Sequence, residues 1–467
     1  MISGQIEIRS PYDDSVVGTV TAATASDVER ALSTAYALFQ DRRGWLPKQL
    51  RVAVLRRAAE IVAERRETIA RLAAQEGGKP LKDSLIEVDR GVEGIRACVE
   101  ELHSNAGHVV PMAINAISNG KVAYTQYEPI GVVVGVSAFN HPFNLVVHQI
   151  APAVAVGAPI IIKPATQTPL SCRMLLDILS EAGLPDGWAQ MVLPGEVELA
   201  TKLATDPRVG FLSFVGSSKV GWMLRSKLAP GTRCALEHGG AAPVIVSQDA
   251  DLATALPRLA RGAFFHAGQA CVSVQRVFCH HSIAVEVAAG LADLGNRMAI
   301  GDPLLMTTDI GPLISSSEVD RIDRWVGEAV HRGAALISGA RKRPNNCYEN
   351  TVLFNPPADA AVMRNEIFGP VVCVCGYDDI DDAISVANDL PFAFQAAVFT
   401  QTIDTALHCC RHLNATAVMV NDSTLFRIDG MPFAGARSSG LGVGGIPFTM
   451  RDMQTEKMIV WQSNALS

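Results

Sequence analysis

The chain has 467 residues, of which 48% are hydrophobic and 19% charged, so it is long and apolar enough for two or three packed domains. A formal net charge of −7 without a long basic run argues against a nucleic-acid-binding protein. The first residues show no secretory signal pattern and the apolar stretch 146–162 is interrupted by prolines, so no membrane association is expected.

The ten cysteines show neither a Cys-x-x-Cys pair nor a regular spacing. This pattern favours reduced thiols in a cytoplasmic protein over a disulfide framework. No group of histidines and cysteines has the spacing of metal ligands, so we expect no metal site.

The predicted elements begin with helices and then alternate. From about Ser26 to Leu102 apolar residues recur every three or four positions, which predicts helices. Residues 121–128 alternate in polarity, which predicts an exposed antiparallel strand. Short apolar runs separated by amphipathic stretches follow at 131–136, 159–162, 190–193, 211–214 and 243–246. Such runs are typical of a parallel sheet covered on both faces, with ligands at the carboxyl ends of its strands.

A second α/β pattern from Ala253 to about Ala417 predicts a second domain. Glu237 and Cys271 lie on either side of the junction, where active-site clefts commonly form. Cys271 follows a glycine-containing loop and Glu237 precedes two glycines, so a thiol nucleophile and a carboxylate base are chemically reasonable. The alternative is a small buried cysteine and a solvated glutamate.

Two segments suit a dinucleotide. Gly216 and Ser217 stand between a strand and a helix, where free N–H groups favour a diphosphate, although they equally describe an ordinary capped helix. Lys163 ends the preceding run and can reach ribose or phosphate, or it is a surface lysine.

Three further residues have two interpretations each. Asn140 follows the first strand of the series, where its amide can donate to an oxyanion or simply form a turn. Glu366 and Phe368 precede a Gly-Pro turn. They can hold a ribose and wall a planar ring, or belong to a turn at a strand edge.

Together these segments resemble the aldehyde dehydrogenase superfamily, in that family's order and over almost the whole chain. The motifs that carry the resemblance are Lys163-Pro-Ala-Thr166, Gly216-Ser217, Glu237-His-Gly-Gly240, Gly268-Gln-Ala-Cys271, Asn365-Glu-Ile-Phe-Gly-Pro370 and Met431-Pro-Phe-Ala-Gly435. Residues 271–276 and 421–429 resemble the branch that includes lactaldehyde and non-phosphorylating glyceraldehyde-3-phosphate dehydrogenases.

The resemblance implies a covalent mechanism. Cys271 attacks an aldehyde, Asn140 and the N–H of Cys271 stabilise the oxyanion, and hydride transfer to nicotinamide leaves a thioester. Glu237 activates the water that releases the acid. Two alternatives remain: an acylating dehydrogenase that uses coenzyme A, which Glu237 argues against, and a non-catalytic protein with the same scaffold. The sequence does not show which positive charge lowers the pKa of the thiol.

For the cofactor, the resemblance assigns NAD or NADP to Lys163, Gly216, Ser217, Glu366 and Phe368. Many family members carry a glutamate where Thr166 stands, and that carboxylate repels a 2′-phosphate. We therefore predict that NADP is accepted, alongside NAD.

For the substrate, the resemblance places Arg427 at the entrance and His148 on the helix beside it, although solvation or helix packing explains each as well. Ala270 stands where relatives with phosphorylated substrates carry arginine. A single arginine holds a dianion weakly, so we predict a small aldehyde, preferably a hydroxyaldehyde. Two departures from the family are His238, expected near the nicotinamide, and Gly444, where a proton-relaying glutamate is common.

The predicted fold is α/β, with a doubly wound parallel-sheet cofactor domain, an α/β catalytic domain and a small β oligomerisation arm. The dinucleotide-binding domain is assigned to 1–117 and 130–240, the catalytic domain to 241–445, and the arm to 118–129 and 446–467. The apolar terminal run 457–461 is expected to pair with a neighbouring subunit rather than fray. A homodimer or homotetramer follows from the resemblance.

Overall fold

The computed structural model describes residues 4–466; residues 1–3 and 467 of the predicted domains lie outside the described part. Its strands are β1 Gln5–Arg9, β2 Val16–Thr21, β3 Val109–Val110, β4 Lys121–Pro129, β5 Val132–Val136, β6 Ile160–Lys163, β7 Ala189–Met191, β8 Val209–Val215, β9 Arg233–Glu237, β10 Ala242–Val246, β11 Val274–His280, β12 Ala335–Ser338, β13 Thr351–Phe354, β14 Val371–Tyr377, β15 Phe392–Ala393, β16 Gln395–Phe399, β17 Ala417–Val420, β18 Ala436–Arg437, β19 Gly440–Leu441 and β20 Gln454–Gln462.

The helices alternate with these strands over most of the chain. They are α1 Ala25–Gln40, α2 Lys48–Glu64, α3 Arg66–Gly77, α4 Leu81–Ser104, α5 Asn144–Val156, α6 Leu170–Glu181, α7 Val197–Thr205, α8 Ser218–Arg225, α9 Leu252–Phe264, α10 His281–Arg297, α11 Ser316–His331, α12 Ala361–Arg364, α13 Ile380–Asn388, α14 Ile403–His412 and α15 Ile446–Asp452. None of the helices in residues 4–466 combines the length and apolarity needed to cross a membrane.

The first large sheet has the order β19-β9-β8-β5-β6-β7, and every pair except β19-β9 is parallel. Successive strand residues point to opposite faces. Val133 packs into a core with α2, α4, α5 and α6, whereas Val132 and Val134 pack into a core with α1, α7 and α8. Both faces are therefore covered, which confirms the predicted doubly wound sheet.

The order of this sheet reverses between β5 and β8, because β6 and β7 lie on one side of β5 and β8 and β9 on the other. Ligands of such sheets bind at the carboxyl ends of the strands beside this switch point. The loops that follow β5, β6, β8 and β9 carry the motifs noted in the sequence.

The second large sheet has the order β12-β13-β14-β11-β10-β16-β17, with only the β12-β13 pair antiparallel. Its central strands are buried on both faces within one hydrophobic core. This is the second predicted α/β unit. The exact domain boundaries given above stay a prediction.

A three-stranded antiparallel sheet has the order β20-β4-β3. β20 pairs with β4 of the same chain from Gln454↔Pro129 to Gln462↔Lys121, so the two segments assigned to the arm lie together. The expected pairing of 457–461 with a neighbouring subunit stays a prediction. The hairpin formed by β1 and β2 was not predicted, since the sequence interpretation started at Ser26. It packs its apolar side on Leu170 and Leu193.

Candidate active site

A cavity of about 710 Å³ lies at the carboxyl ends of β5, β6, β8 and β9 and reaches the loop before β11. Each residue predicted for catalysis, cofactor binding or substrate binding lines it: Asn140, His148, Lys163, Thr166, Gly216, Ser217, Glu237, Cys271, Glu366, Phe368 and Arg427. The fold thus brings together segments that are far apart in the chain. Their individual roles stay predictions.

The loop that carries Cys271 has an unusual backbone. His266 and Ala267 have φ of 49° and 54°, and Gly268 continues the left-handed run at 70°. Non-glycine residues adopt this region at a cost, which is common at functional sites. A Cβ on Gly268 would overlap the carbonyl oxygen of Gly369, so only glycine fits. This close approach joins the cysteine loop to the segment that carries Glu366 and Phe368.

The Cys271 thiol lies beside one cation. Burial raises the pKa of the thiol to about 12, and the largest opposing influence is the positive charge of Arg427. The guanidinium of Arg427 stacks on the Phe433 ring at 3.5 Å from the centroid. Its buried Nε has no hydrogen-bond partner in residues 4–466. Arg427 is therefore the positive charge that favours the thiolate, which the sequence did not locate.

The Asn140 side chain is fixed by a hydrogen bond to the loop that carries Cys271. Its Nδ2 donates to the carbonyl oxygen of Gln269 at 2.9 Å. Gln269 is itself fixed, because its Nε2 donates to His266 O and Pro312 O and its Oε1 accepts from Ile314 N. A primary amide has two N–H donors, so one remains for a developing oxyanion.

Glu237 is the last residue of β9. Burial raises the pKa of its carboxyl group, and the charge of Arg427 opposes this shift. A raised pKa brings a carboxyl group closer to neutral pH, where it can take a proton from water and release it again. The arrangement of Cys271, Asn140 and Glu237 around one cavity suits acyl chemistry on an aldehyde carbon.

The other end of the cavity fits NAD or NADP. Glu366 is partly buried, its Oε1 has no partner in residues 4–466, and burial raises the pKa of the carboxyl group to about 8. Burial also lowers the pKa of Lys163, at the end of β6. Buried polar groups are seldom left without partners, so a polar ligand is expected between them. Gly216 and Ser217 lead into α8 and provide a helix N-terminus for a diphosphate.

His238 lies under this turn. Its Nδ1 donates to the carbonyl oxygen of Gly216 at 2.8 Å, and its ring meets Phe214 edge-on at 5.6 Å between centroids. Burial lowers the pKa of His238, so the ring is neutral near pH 7. His238 therefore supports the Gly216–Ser217 turn and does not add the positive charge considered from the sequence.

The substrate end contains a charged network. His148 Nε2 donates to Asp429 Oδ1 at 2.7 Å, and Arg90 donates to both oxygens of Asp429 at 2.7 and 3.0 Å. Burial lowers the pKa of His148, and the hydrogen bond that its ring donates to Asp429 opposes that shift. Asp429 thus neutralises Arg90, whereas Arg427 makes no ion pair with any described residue. Burial lowers the pKa of Arg427 and the negative charge of Glu237 opposes this shift, so Arg427 is a cation without an ion pair but with a carboxyl group in electrostatic reach.

Sequence reasoning missed Arg90 and the role of Asp429. Asp83, Glu87 and Arg90 recur at helical spacing on α4, where buried apolar residues also recur. Charged residues on the buried side of a helix need partners, and that pattern was the available signal.

The profile of the aldehyde dehydrogenase family matches residues 2–459. The chain belongs to the aldehyde dehydrogenase family. The dehydrogenase is 34% identical over 456 residues to a 3-sulfolactaldehyde dehydrogenase of Priestia aryabhattai, covering 98% of this chain and 94% of the relative. It is 31% identical over 459 residues to a lactaldehyde dehydrogenase of Methanocaldococcus jannaschii, covering 97% of each chain.

The fold has solved counterparts. The crystal structure of the glyceraldehyde-3-phosphate dehydrogenase GapN from Methanocaldococcus jannaschii, complexed with NADP, superposes with a TM-score of 0.93 at 31% identity, covering 98% of this chain and 99% of that one. The predicted family, the α/β fold and the reaction class, NAD(P)-dependent oxidation of an aldehyde, are confirmed for this dehydrogenase.

Proposed function

We propose that this dehydrogenase oxidises a small 2-hydroxyaldehyde to its carboxylic acid, with NADP accepted alongside NAD. The observation that carries the proposal is Arg427, a cation without an ion-pair partner in residues 4–466, next to Cys271 and Glu237 in one cavity. A hydroxyl group on the carbon next to the reacting carbon, or a single anionic group on the carbon after that, gives this guanidinium a partner.

Each catalytic residue has one proposed task. The Cys271 thiolate attacks the aldehyde carbon, and its formation is favoured by Arg427. The free N–H of the Asn140 amide stabilises the oxyanion. Glu237 takes a proton from the water that hydrolyses the thioester, so the product is a free acid and not an acyl-coenzyme A.

The cofactor end is assigned to the same residues as in the sequence interpretation. Glu366 and Lys163 face the ribose groups, Gly216 and Ser217 hold the diphosphate, and Phe368 walls the ring. The bound cofactor supplies the hydride acceptor. Thr166 lines the cavity and carries no charge, which leaves room for a 2′-phosphate, and GapN with bound NADP supports this choice.

The charge of the substrate end limits the substrate. Asp429 pairs with Arg90, so Arg427 is the remaining cation of this end, and the carboxyl group of Glu237 already opposes part of its charge. A dianion such as a phosphate ester leaves this end with excess negative charge, and Ala270 provides no second arginine. A hydroxyl group or a monoanion such as a sulfonate is matched. The relatives named for lactaldehyde and 3-sulfolactaldehyde support this class, because both compounds are 2-hydroxyaldehydes.

Steady-state kinetics test the proposal. Lactaldehyde, 3-sulfolactaldehyde, propanal and glyceraldehyde 3-phosphate are compared with NADP and with NAD, with Cys271→Ala as the control. We expect the highest kcat/KM for one of the two lactaldehydes and no turnover by the control. Faster turnover of propanal contradicts the hydroxyaldehyde class. Faster turnover of the phosphate ester, which is itself a 2-hydroxyaldehyde, contradicts the limit that the charge of the substrate end sets. Formation of an acyl-coenzyme A in the presence of coenzyme A would instead support the acylating alternative.

We also propose that the enzyme forms a homodimer or homotetramer through the sheet β20-β4-β3, and that it is cytoplasmic. Val122, Met458, Val460 and Trp461 expose 41% to 58% of their surface there. Exposed apolar groups on paired strands are typical of subunit interfaces. All ten cysteines are free thiols, which supports a reducing compartment.

A further inference from the structure

A buried ion pair lies behind the proposed oxyanion donor. Lys79, which follows α3, and Glu87 on α4 form an ion pair whose side chains are 0% and 1% exposed. Neither residue faces the aldehyde in the mechanism above. Neither belongs to the motifs that were singled out in the sequence.

Both partners of the pair hold the segment that starts at Asn140. Lys79 Nζ donates to the carbonyl oxygen of Asn140 at 3.3 Å. Glu87 Oε1 accepts from the backbone N–H groups of Phe143 and Asn144, each at 2.9 Å. These amides open α5, which has no side-chain cap of its own. Free N–H groups at a helix start need acceptors, and a carboxylate there is favoured by the helix dipole.

The backbone beside Lys79 meets the other support of Asn140. Gly78 has a left-handed φ of 74°, and a Cβ on it would lie 2.7 Å from Pro312 Cγ. Pro312 O accepts from Gln269 Nε2, and Gln269 O accepts from the Asn140 amide. Lys79 therefore holds the backbone of Asn140, and Gln269 holds its side chain. The two supports come together where Gly78 lies against Pro312.

A stability argument alone does not explain this pair. Two charges withdrawn from water lose about as much hydration energy as their attraction returns, and well-packed apolar residues are often at least as stabilising. We propose that the Lys79–Glu87 pair positions Asn140 as the oxyanion donor. This inference rests on the role proposed above for Asn140. Lys79 and Glu87 are positioning residues, since they act through the backbone of residues 140–144.

The test measures the single-turnover rate of cofactor reduction, with enzyme in excess over lactaldehyde, for Lys79→Met, Asn140→Ala and the double variant. We expect Lys79→Met to slow this rate by tenfold to a hundredfold with an unchanged Kd for NADP. In the Asn140→Ala background the same change should have no further effect. Lys82→Met is the matched control, because Lys82 lies on the first turn of α4 and pairs with Asp309 at the surface.

A second variant tests whether a slower rate results from misfolding around an unpaired buried charge. Lys79→Met combined with Glu87→Gln removes both charges, keeps an acceptor for the amides of Phe143 and Asn144, and should still react slowly. Wild-type rates in Lys79→Met, or an equal further loss in the Asn140→Ala background, would overturn the inference. An unaffected rate in Asn140→Ala would instead reject the oxyanion role of Asn140.

Discussion

The carboxylate of Glu237 occupies the space that a side chain at position 444 would fill. A Cβ built on Gly444 would overlap Oε1 of Glu237. Gly444 stands where a glutamate is common in the family, and its lack of a side chain leaves room for the carboxyl group of the proposed base. The side chain of Glu237 can take its position because Gly444, in the loop between β19 and α15, has no side chain.

Gly444→Ala should displace Glu237 and slow thioester hydrolysis. The backbone at Gly444 is outside the left-handed region, so the effect of alanine comes from its contacts, with Oε1 of Glu237 and with the carbonyl oxygen of Phe433 at 2.9 Å. We expect kcat to fall about tenfold, equivalent to about 1.4 kcal/mol, with unchanged single-turnover cofactor reduction. A rapid-mixing burst that reaches one reduced cofactor per active site checks this. Gly327→Ala, where a Cβ meets nothing within 4 Å, is the control; an unchanged kcat would show that hydrolysis does not depend on this space.

Arg427→Leu should raise the pKa of the Cys271 thiol. The positive charge of Arg427 lowers that pKa, so its removal leaves less thiolate at neutral pH. We expect the ascending limb of kcat/KM to move to higher pH, with a loss of about tenfold or more at pH 7. The loss should be larger for 3-sulfolactaldehyde than for propanal, because the anion also loses its partner. An equal loss for both aldehydes would remove Arg427 from substrate binding but leave its effect on the thiol.

Thr166→Glu should select against NADP. A carboxylate at this position repels the 2′-phosphate, so we expect the KM for NADP to rise by roughly tenfold to a hundredfold with little change for NAD. Thr166→Gln has nearly the same shape without the charge and should have a smaller effect. Equal affinities for NADP in the wild type and in Thr166→Glu would place the 2′-phosphate elsewhere.

Met458→Asp together with Val460→Asp should dissociate the proposed oligomer. The two side chains are 58% and 48% exposed on β20, and buried carboxylates in an interface are costly without partners. Light scattering coupled to size-exclusion chromatography should show a smaller species. Gln462→Asp adds one of the two charges at the end of the same side of the strand and shows the effect of charge outside the apolar pair. A wild-type mass in the double variant would exclude this side of β20 from the interface.

Much of the fold followed from local patterns. The apolar runs that became β5, β6, β8 and β10 are readable because each must be buried on both faces of a parallel sheet. β1 and β2 escaped notice, since short alternating strands near a chain end give a weak signal. The pairing of β4 with β20 was predictable from their exposed, alternating and apolar character.

Some residues of the candidate site are marked by local motifs, whereas others are recognised only from their contacts in space. Cys271, Glu237 and Asn140 stand in short motifs whose glycines and flanking strands mark them in the linear sequence. Arg90 and Asp429 are 339 positions apart, and nothing local indicates that they meet. The same holds for the assignment of Arg427 as the cation without an ion-pair partner, because it requires knowing which charges are already paired.

The sequence by itself indicated the α/β architecture, because backbone preferences and burial patterns act over short stretches. Its motifs indicated the family and the candidate reactive residues by resemblance. Only the tertiary structure decided which charged groups are paired and which residues support the catalytic side chains. It neutralised Arg90 and His238 while leaving Arg427 charged, and it placed Lys79 and Glu87 behind Asn140. Burial and charge pairing depend on distances in space, which a linear pattern does not contain.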